Sequence, residues 1–132
     1  MKGWALSAMV GLGLVSSPTM ARDLYLTSAT QNERAYLDVQ SIQEKANGAA
    51  VVRVFEAEVY RIQPVANAPS VFGWVIAANC STPFQTSTIE QVIYSAQGKE
   101  KQRLRFQPAG TAYVFEDNTE TSLFGDFWLA AC

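Results

Sequence analysis

Val71-Phe72-Gly73-Trp74-Val75-Ile76-Ala77-Ala78-Asn79-Cys80 is the stretch on which the reading of this 132-residue sequence turns. Phe72, Trp74, Ile76, Ala78 and Cys80 occupy alternate positions. That is the period-two pattern of a strand with one face in a core. The pattern aims Cys80 inward, and Ser81-Thr82-Pro83 ends the strand.

Upstream, Leu24 and Leu26 around Tyr25 suggest a short opening strand. Ala35, Leu37 and Val39 alternate with Tyr36, Asp38 and Gln40, which predicts a half-buried strand. A turn at Ala46-Asn47-Gly48 leads into the longest strand, 50–62. Its faces are mixed. Arg53 shares one face with Val51, Phe55, Ala57 and Val59; Glu56 and Glu58 share the other with Val52, Val54, Tyr60 and Ile62. A bulge within this strand would reconcile the two. Pro64 and Pro69 bound a loop before the central strand.

Downstream, 88–96 and 101–107 read as two strands joined by a turn at Gln97-Gly98-Lys99, with Pro108-Ala109-Gly110 ending the second. Then the period changes. Leu123, Phe124, Phe127, Trp128 and Ala131 recur at helical spacing. Asn118 or Thr119 would cap the helix, with Glu120 in its first turn, and Gly125 weakens it. Residues 111–117 fit a strand or a helical turn. The sum is an α+β fold, an antiparallel sheet of about six strands with the C-terminal helix packed on one face.

Composition narrows the function. Hydrophobic residues make up 48% and charged residues 17%, the balance of a globular chain and not a disordered one. There is no histidine, which removes Ser-His-Asp and Cys-His triads, most zinc sites and the usual general base near neutral pH. Two cysteines do not suffice for a Cys₄ metal site.

Residues 1–21 read as an address, not as structure. Lys2 precedes an apolar run from Trp4 to Val15, Ser16-Ser17-Pro18 breaks it, and Thr19-Met20-Ala21 offers a cleavage site. The run is too short for a membrane span, which needs about 20 residues. The expected mature chain is a single domain, 22–132. It loses Lys2, so its formal charge becomes −3, nine Lys and Arg against twelve Asp and Glu. Such mild acidity argues against a nucleic-acid binder. Export places Cys80 and Cys132 in an oxidising compartment, either the periplasm or the cell surface. An even count with no metal partners nearby reads as one disulfide, Cys80 to Cys132. It would tie the last residue to the end of the central strand.

Several constellations invite a functional reading. Lys99, Lys101, Arg103 and Arg105 alternate, which predicts a basic row opposite Leu104 and Phe106. The simpler account is a solvated face or a guarded edge strand. The functional alternative is a docking strip for an anionic partner such as a lipid phosphate or a sulfated glycan. Glu116, Asp117, Glu120 and Asp126 suggest calcium, but their spacing is not that of an EF-hand. Ordinary helix-start electrostatics accounts for them. Glu56 and Glu58 would stand about 7 Å apart on one strand face, an opening for carboxylate chemistry that nothing else supports. Trp74 and Trp128 sit among core positions. Tyr60 and Tyr94 are candidates for an interface or for half-buried packing.

Taken together, these residues resemble the surface-adhesin protein E-like domains of bacterial exported proteins. Tyr36-Leu37-Asp38 with Ser41-Ile42, the valine-rich Val51–Val54, Asn79-Cys80, Tyr94-Ser95 with Gly98, and Pro108-Ala109-Gly110-Thr111 with Cys132 follow the family's order. They span 34–132. The stretch from Pro108 to Cys132 is longer than the family's, which bears on where the helix starts. The resemblance implies a small antiparallel sheet, a C-terminal helix joined to it by a disulfide, no catalysis and no cofactor. It also implies binding of an extracellular protein, although no binding motif transfers residue by residue. The resulting expectation is a non-enzymatic binding module, monomeric or weakly dimeric, recognising an unknown protein or an anionic glycan or lipid. The alternative is a periplasmic binding or inhibitor protein acting on an envelope enzyme or lipid.

Overall fold

The computed structural model describes residues 22–63, 70–95, 97–107 and 112–132. The leader read at 1–21, the loop from Pro64 to Pro69, Ala96 and Pro108–Thr111 lie outside the described residues. Seven strands and one helix are present among those described: β1 Leu24–Ala29, β2 Glu33–Asn47, β3 Ala50–Arg61, β4 Val71–Asn79, β5 Gln85–Tyr94, β6 Glu100–Arg105, β7 Glu116–Asp117 and α1 Leu123–Ala131. The first six strands form an antiparallel meander in sequence order. β7 pairs with the start of β5, at Gln85 and Thr86. The expected fold and the expected disulfide are both present.

One face of the sheet and α1 share the core. Leu37, Phe55, Ala57, Val59, Ile76 and Ala78 meet Phe127 and Ala131, all buried. Trp74, Leu123, Phe124 and Trp128 pack around them, partly buried. The even face of β4 is therefore the core face, as its alternation predicts.

The helix is clamped at its C-terminal half. Cys132 bonds to Cys80 just past the end of β4. The Trp128 indole Nε1 donates to the Asn79 carbonyl at 2.8 Å, and the Phe84 ring lies 5.1 Å from the Trp128 ring. Phe84 adopts a left-handed φ of 62°, a costly conformation for an aromatic residue. Asn118 steadies it from below, its Nδ2 donating to the Phe84 carbonyl at 2.9 Å. Nine residues make a helix too short to persist alone in water, so this clamp and the apolar face hold it.

Three local expectations are corrected. First, the bulge is not in β3. β3 stays in register with β4 from Val52 to Tyr60, and the irregularity falls in β2 between Asp38 and Gln43. Arg53 stays on the helix side because its guanidinium donates to the Ala131 carbonyl at 2.8 Å, an orphan acceptor at the helix end. Second, the N-cap is Ser122, whose hydroxyl accepts from the Gly125 N–H at 3.0 Å. Asn118 and Thr119 cannot serve, because 116–117 pair with β5 and Thr119–Ser122 then turns the chain. Third, Gly125 is not a weakness of the helix. A Cβ there would lie 2.0 Å from the Thr119 carbonyl oxygen, so the turn requires glycine.

Candidate functional site

The sheet face away from α1 carries most of the ordered charge. Antiparallel register sets side chains in rows across the strands. One row runs Asp38, Glu56, Val75, Glu90, Arg105. The next runs Tyr36, Glu58, Gly73, Val92, Arg103. No helix or second sheet packs on this face among the described residues.

Glu90 is the centre of the array. Its side chain is 11% exposed, yet it accepts from both Arg103 at 2.6 Å and Arg105 at 2.7 Å. Arg103 also reaches Glu100 at 2.8 Å. A buried carboxylate with two guanidinium donors has its charge balanced by its partners. Hydrogen bonds to Glu100 and Glu90 push the Arg103 guanidinium well above its ordinary value, against a small opposing cost of burial.

A second cluster lies toward β1 and β2. Glu58 pairs with Arg22 and accepts from the Tyr60 hydroxyl. The Tyr60 ring meets Tyr36 edge-on at 5.6 Å. Burial raises the Tyr60 hydroxyl above its usual value, and the bond to Glu58 adds to it. Tyr94 is raised first by burial, then by the charges of Glu58 and Glu100.

Between the clusters Gly73 leaves a gap in its row. A Cβ there would sit 3.3 Å from the Tyr94 ring, so Tyr94 covers the space a side chain would take. Glu56, Glu58, Val92 and Arg103 border the depression, whose volume of about 30 Å³ is that of roughly one water molecule. Glu56 and Glu58 do share a strand face, but the space beside them is too small for a sugar ring.

The basic row is broken. Ile93 faces Gln102 and Tyr94 faces Glu100, which leaves Lys101 as the extra residue at a register shift. Glu100 therefore joins Arg103 and Arg105 on one face, and both arginines are spent on carboxylates. Lys99 precedes β6 in the hairpin closed by Gly98, at φ 82°. Lys99 and Lys101 are exposed, and neither takes part in a salt bridge among the described residues. The sequence signal for this pairing was Glu90 itself, an isolated acid in a β-rich stretch, but only the register brings it to Arg103 and Arg105.

The acidic group does not converge. Glu116 and Asp117 lie on β7, Glu120 in the following turn and Asp126 in the first turn of α1. No group of three or more His, Cys, Asp or Glu side chains is arranged to hold a metal ion among the described residues. Asp117 instead accepts from Gln85 at 3.0 Å. Trp74 and Trp128 pack against Phe124 and Phe84. Among the described residues no helix is long and apolar enough to cross a membrane.

No protein family, curated protein or solved structure matches this chain.

Proposed function

We propose that this chain is an exported, non-enzymatic binding module of the surface-adhesin protein E-like kind. Its work is adhesion to, or recognition of, an extracellular protein or glycan. The sheet face opposite α1 is its recognition surface. The observation that carries this reading is the locked array of Glu90, Glu100, Arg103 and Arg105 on a shallow face. Side chains already held by ion pairs lose little entropy on docking. Alternating charge selects a partner by complementarity more than by brute attraction. A face without a deep cleft suits a macromolecule better than a small substrate. The exposed Lys99 and Lys101 extend the array at its rim and add long-range attraction for an anionic partner.

Two measurements test the reading. Binding of the purified protein to immobilised extracellular proteins and sulfated glycans should weaken with salt. It should fall further in a Lys99→Glu, Lys101→Glu variant, which leaves the Glu90 pairs intact. Protease shaving of intact cells should remove the protein. A chain fully protected inside the envelope, co-purifying with an envelope enzyme or lipid, overturns the adhesin reading in favour of a periplasmic binding or inhibitor role.

A further inference from the structure

A second concavity lies on the other side of the sheet, where the edge of β5 is split. β6 covers β5 from Glu90 to Tyr94, and β7 covers it at Gln85 and Thr86. Ser87 and Thr88 fall in the gap between them, while the Ile89 carbonyl accepts from the Phe106 N–H at 2.9 Å. Gln107 fills part of that gap with its side chain, its Nε2 donating to Ser87 Oγ and to the Thr88 carbonyl. A register shift between β4 and β5 at the same level, near Ile89, turns the strand locally. The result is a groove of about 460 Å³, within the range of small-molecule sites.

Its lining is of two kinds. Trp74, Phe106 and Val114 are apolar; Thr88, Gln91, Gln107 and Glu116 are polar. Phe106 and Val114 are 54% and 69% exposed, unusual for large apolar side chains that border one cavity. Gln107 Oε1 is buried without a hydrogen-bond partner among the described residues. Its Nε2 is already spent on Ser87 and Thr88, so Gln107 shapes the wall of the groove.

We infer that this groove binds a neutral saccharide unit, a pyranose ring or a short oligosaccharide end. The lining decides between ligand classes. An alkyl chain would desolvate two amides, a hydroxyl and a carboxylate without replacing their bonds. A phosphate or sulfate would meet Glu116, the charged group of the lining, with the wrong sign. A sugar ring offers an apolar C–H face to aromatic side chains and hydroxyls that both donate and accept. The Gln91 amide and the Thr88 hydroxyl are matched to that dual capacity. The inference rests on the binding-module reading and adds to it a separate, uncharged ligand at a separate site.

The test is a neutral-glycan array followed by titration of the protein with the best mono- or disaccharide, followed by tryptophan fluorescence and by calorimetry. The expected result is saturable binding that is unchanged between about 50 and 500 mM salt, because no ion pair is made. Gln91→Ala and Phe106→Ala should each weaken it about tenfold, the scale of one lost hydrogen bond or ring contact. Both positions border the groove, and a circular dichroism spectrum checks that each variant is folded. Absence of saturable binding to any neutral saccharide overturns the inference, as does binding that both variants retain. Binding confined to sulfated or protein ligands, and lost in Lys99→Glu, Lys101→Glu, overturns the groove assignment while the binding-module reading stands. Neutral saccharide binding without any extracellular partner for the opposite face upholds the groove and overturns the role given to that face.

Discussion

Replacing Cys80 and Cys132 together by serine isolates what the disulfide contributes. The bond closes a loop between residues 52 positions apart. In the unfolded chain, closing a loop of that length removes entropy worth about 4 kcal/mol at 25 °C. The folded helix keeps its other anchors in the variant: the Trp128 bond to Asn79, the Arg53 bond to Ala131 and the burial of Phe127 against Phe55. Cys132 is exposed, so a serine hydroxyl there stays hydrated. The loss therefore falls mainly on the unfolded side. The far-UV circular dichroism of the folded variant should match the parent, while urea denaturation shows stability lower by about 4 kcal/mol. The thermal midpoint should drop by roughly 20 °C for a domain of this size. The slope of free energy on urea should rise slightly, because the uncrosslinked unfolded chain is more expanded. A loss below about 1 kcal/mol would contradict this account of the bond, since the loop constraint would then be nearly cost-free. Loss of helical signal under native conditions would refute it differently, by showing that the bond and not the packing holds α1 in place.

Three further outcomes follow from other parts of the molecule. Gly125→Ala should destabilise by about 2 kcal/mol, because the clash with the Thr119 carbonyl outweighs the roughly 1 kcal/mol gain in helix propensity; a raised thermal midpoint would contradict the geometry. Arg103→Ala and Arg105→Ala should each cost about 1 kcal/mol, and the double variant about 3 kcal/mol, since only the pair of changes leaves buried Glu90 uncompensated. A double-mutant cycle with zero coupling would show that Glu90 does not depend on the two arginines jointly. The raised hydroxyls of Tyr60 and Tyr94 give stability that is complete below the unfolded-state value, about pH 10, and is lost as pH climbs toward the folded values. Urea melts across this alkaline range should show the decline, and Tyr60→Phe should flatten part of it; an unchanged slope would remove Tyr60 from the account.

Much of this architecture was legible in the residues themselves. The alternate placing of Phe72, Trp74, Ile76, Ala78 and Cys80 marked both the strand and its core face, because side-chain direction in a strand follows from covalent geometry. The change to helical spacing after Leu123 marked α1 for the same reason. An even pair of cysteines in a chain read as exported was enough to pair Cys80 with Cys132. Each of these signals is local or nearly so. What tertiary structure alone decided depends on register. Whether Arg103 faces Glu90 or open water turns on a one-residue shift at Lys101, and such a shift moves a side chain to the other face of the sheet. Gly125 looked like a flaw until the chain folded back and placed a carbonyl where its Cβ would be. The groove beside Gln107 exists because β6 and β7 stop short of each other on β5, a meeting of segments distant in sequence. Periodicity tells which way a side chain points. Only the packed sheet determines what it then meets.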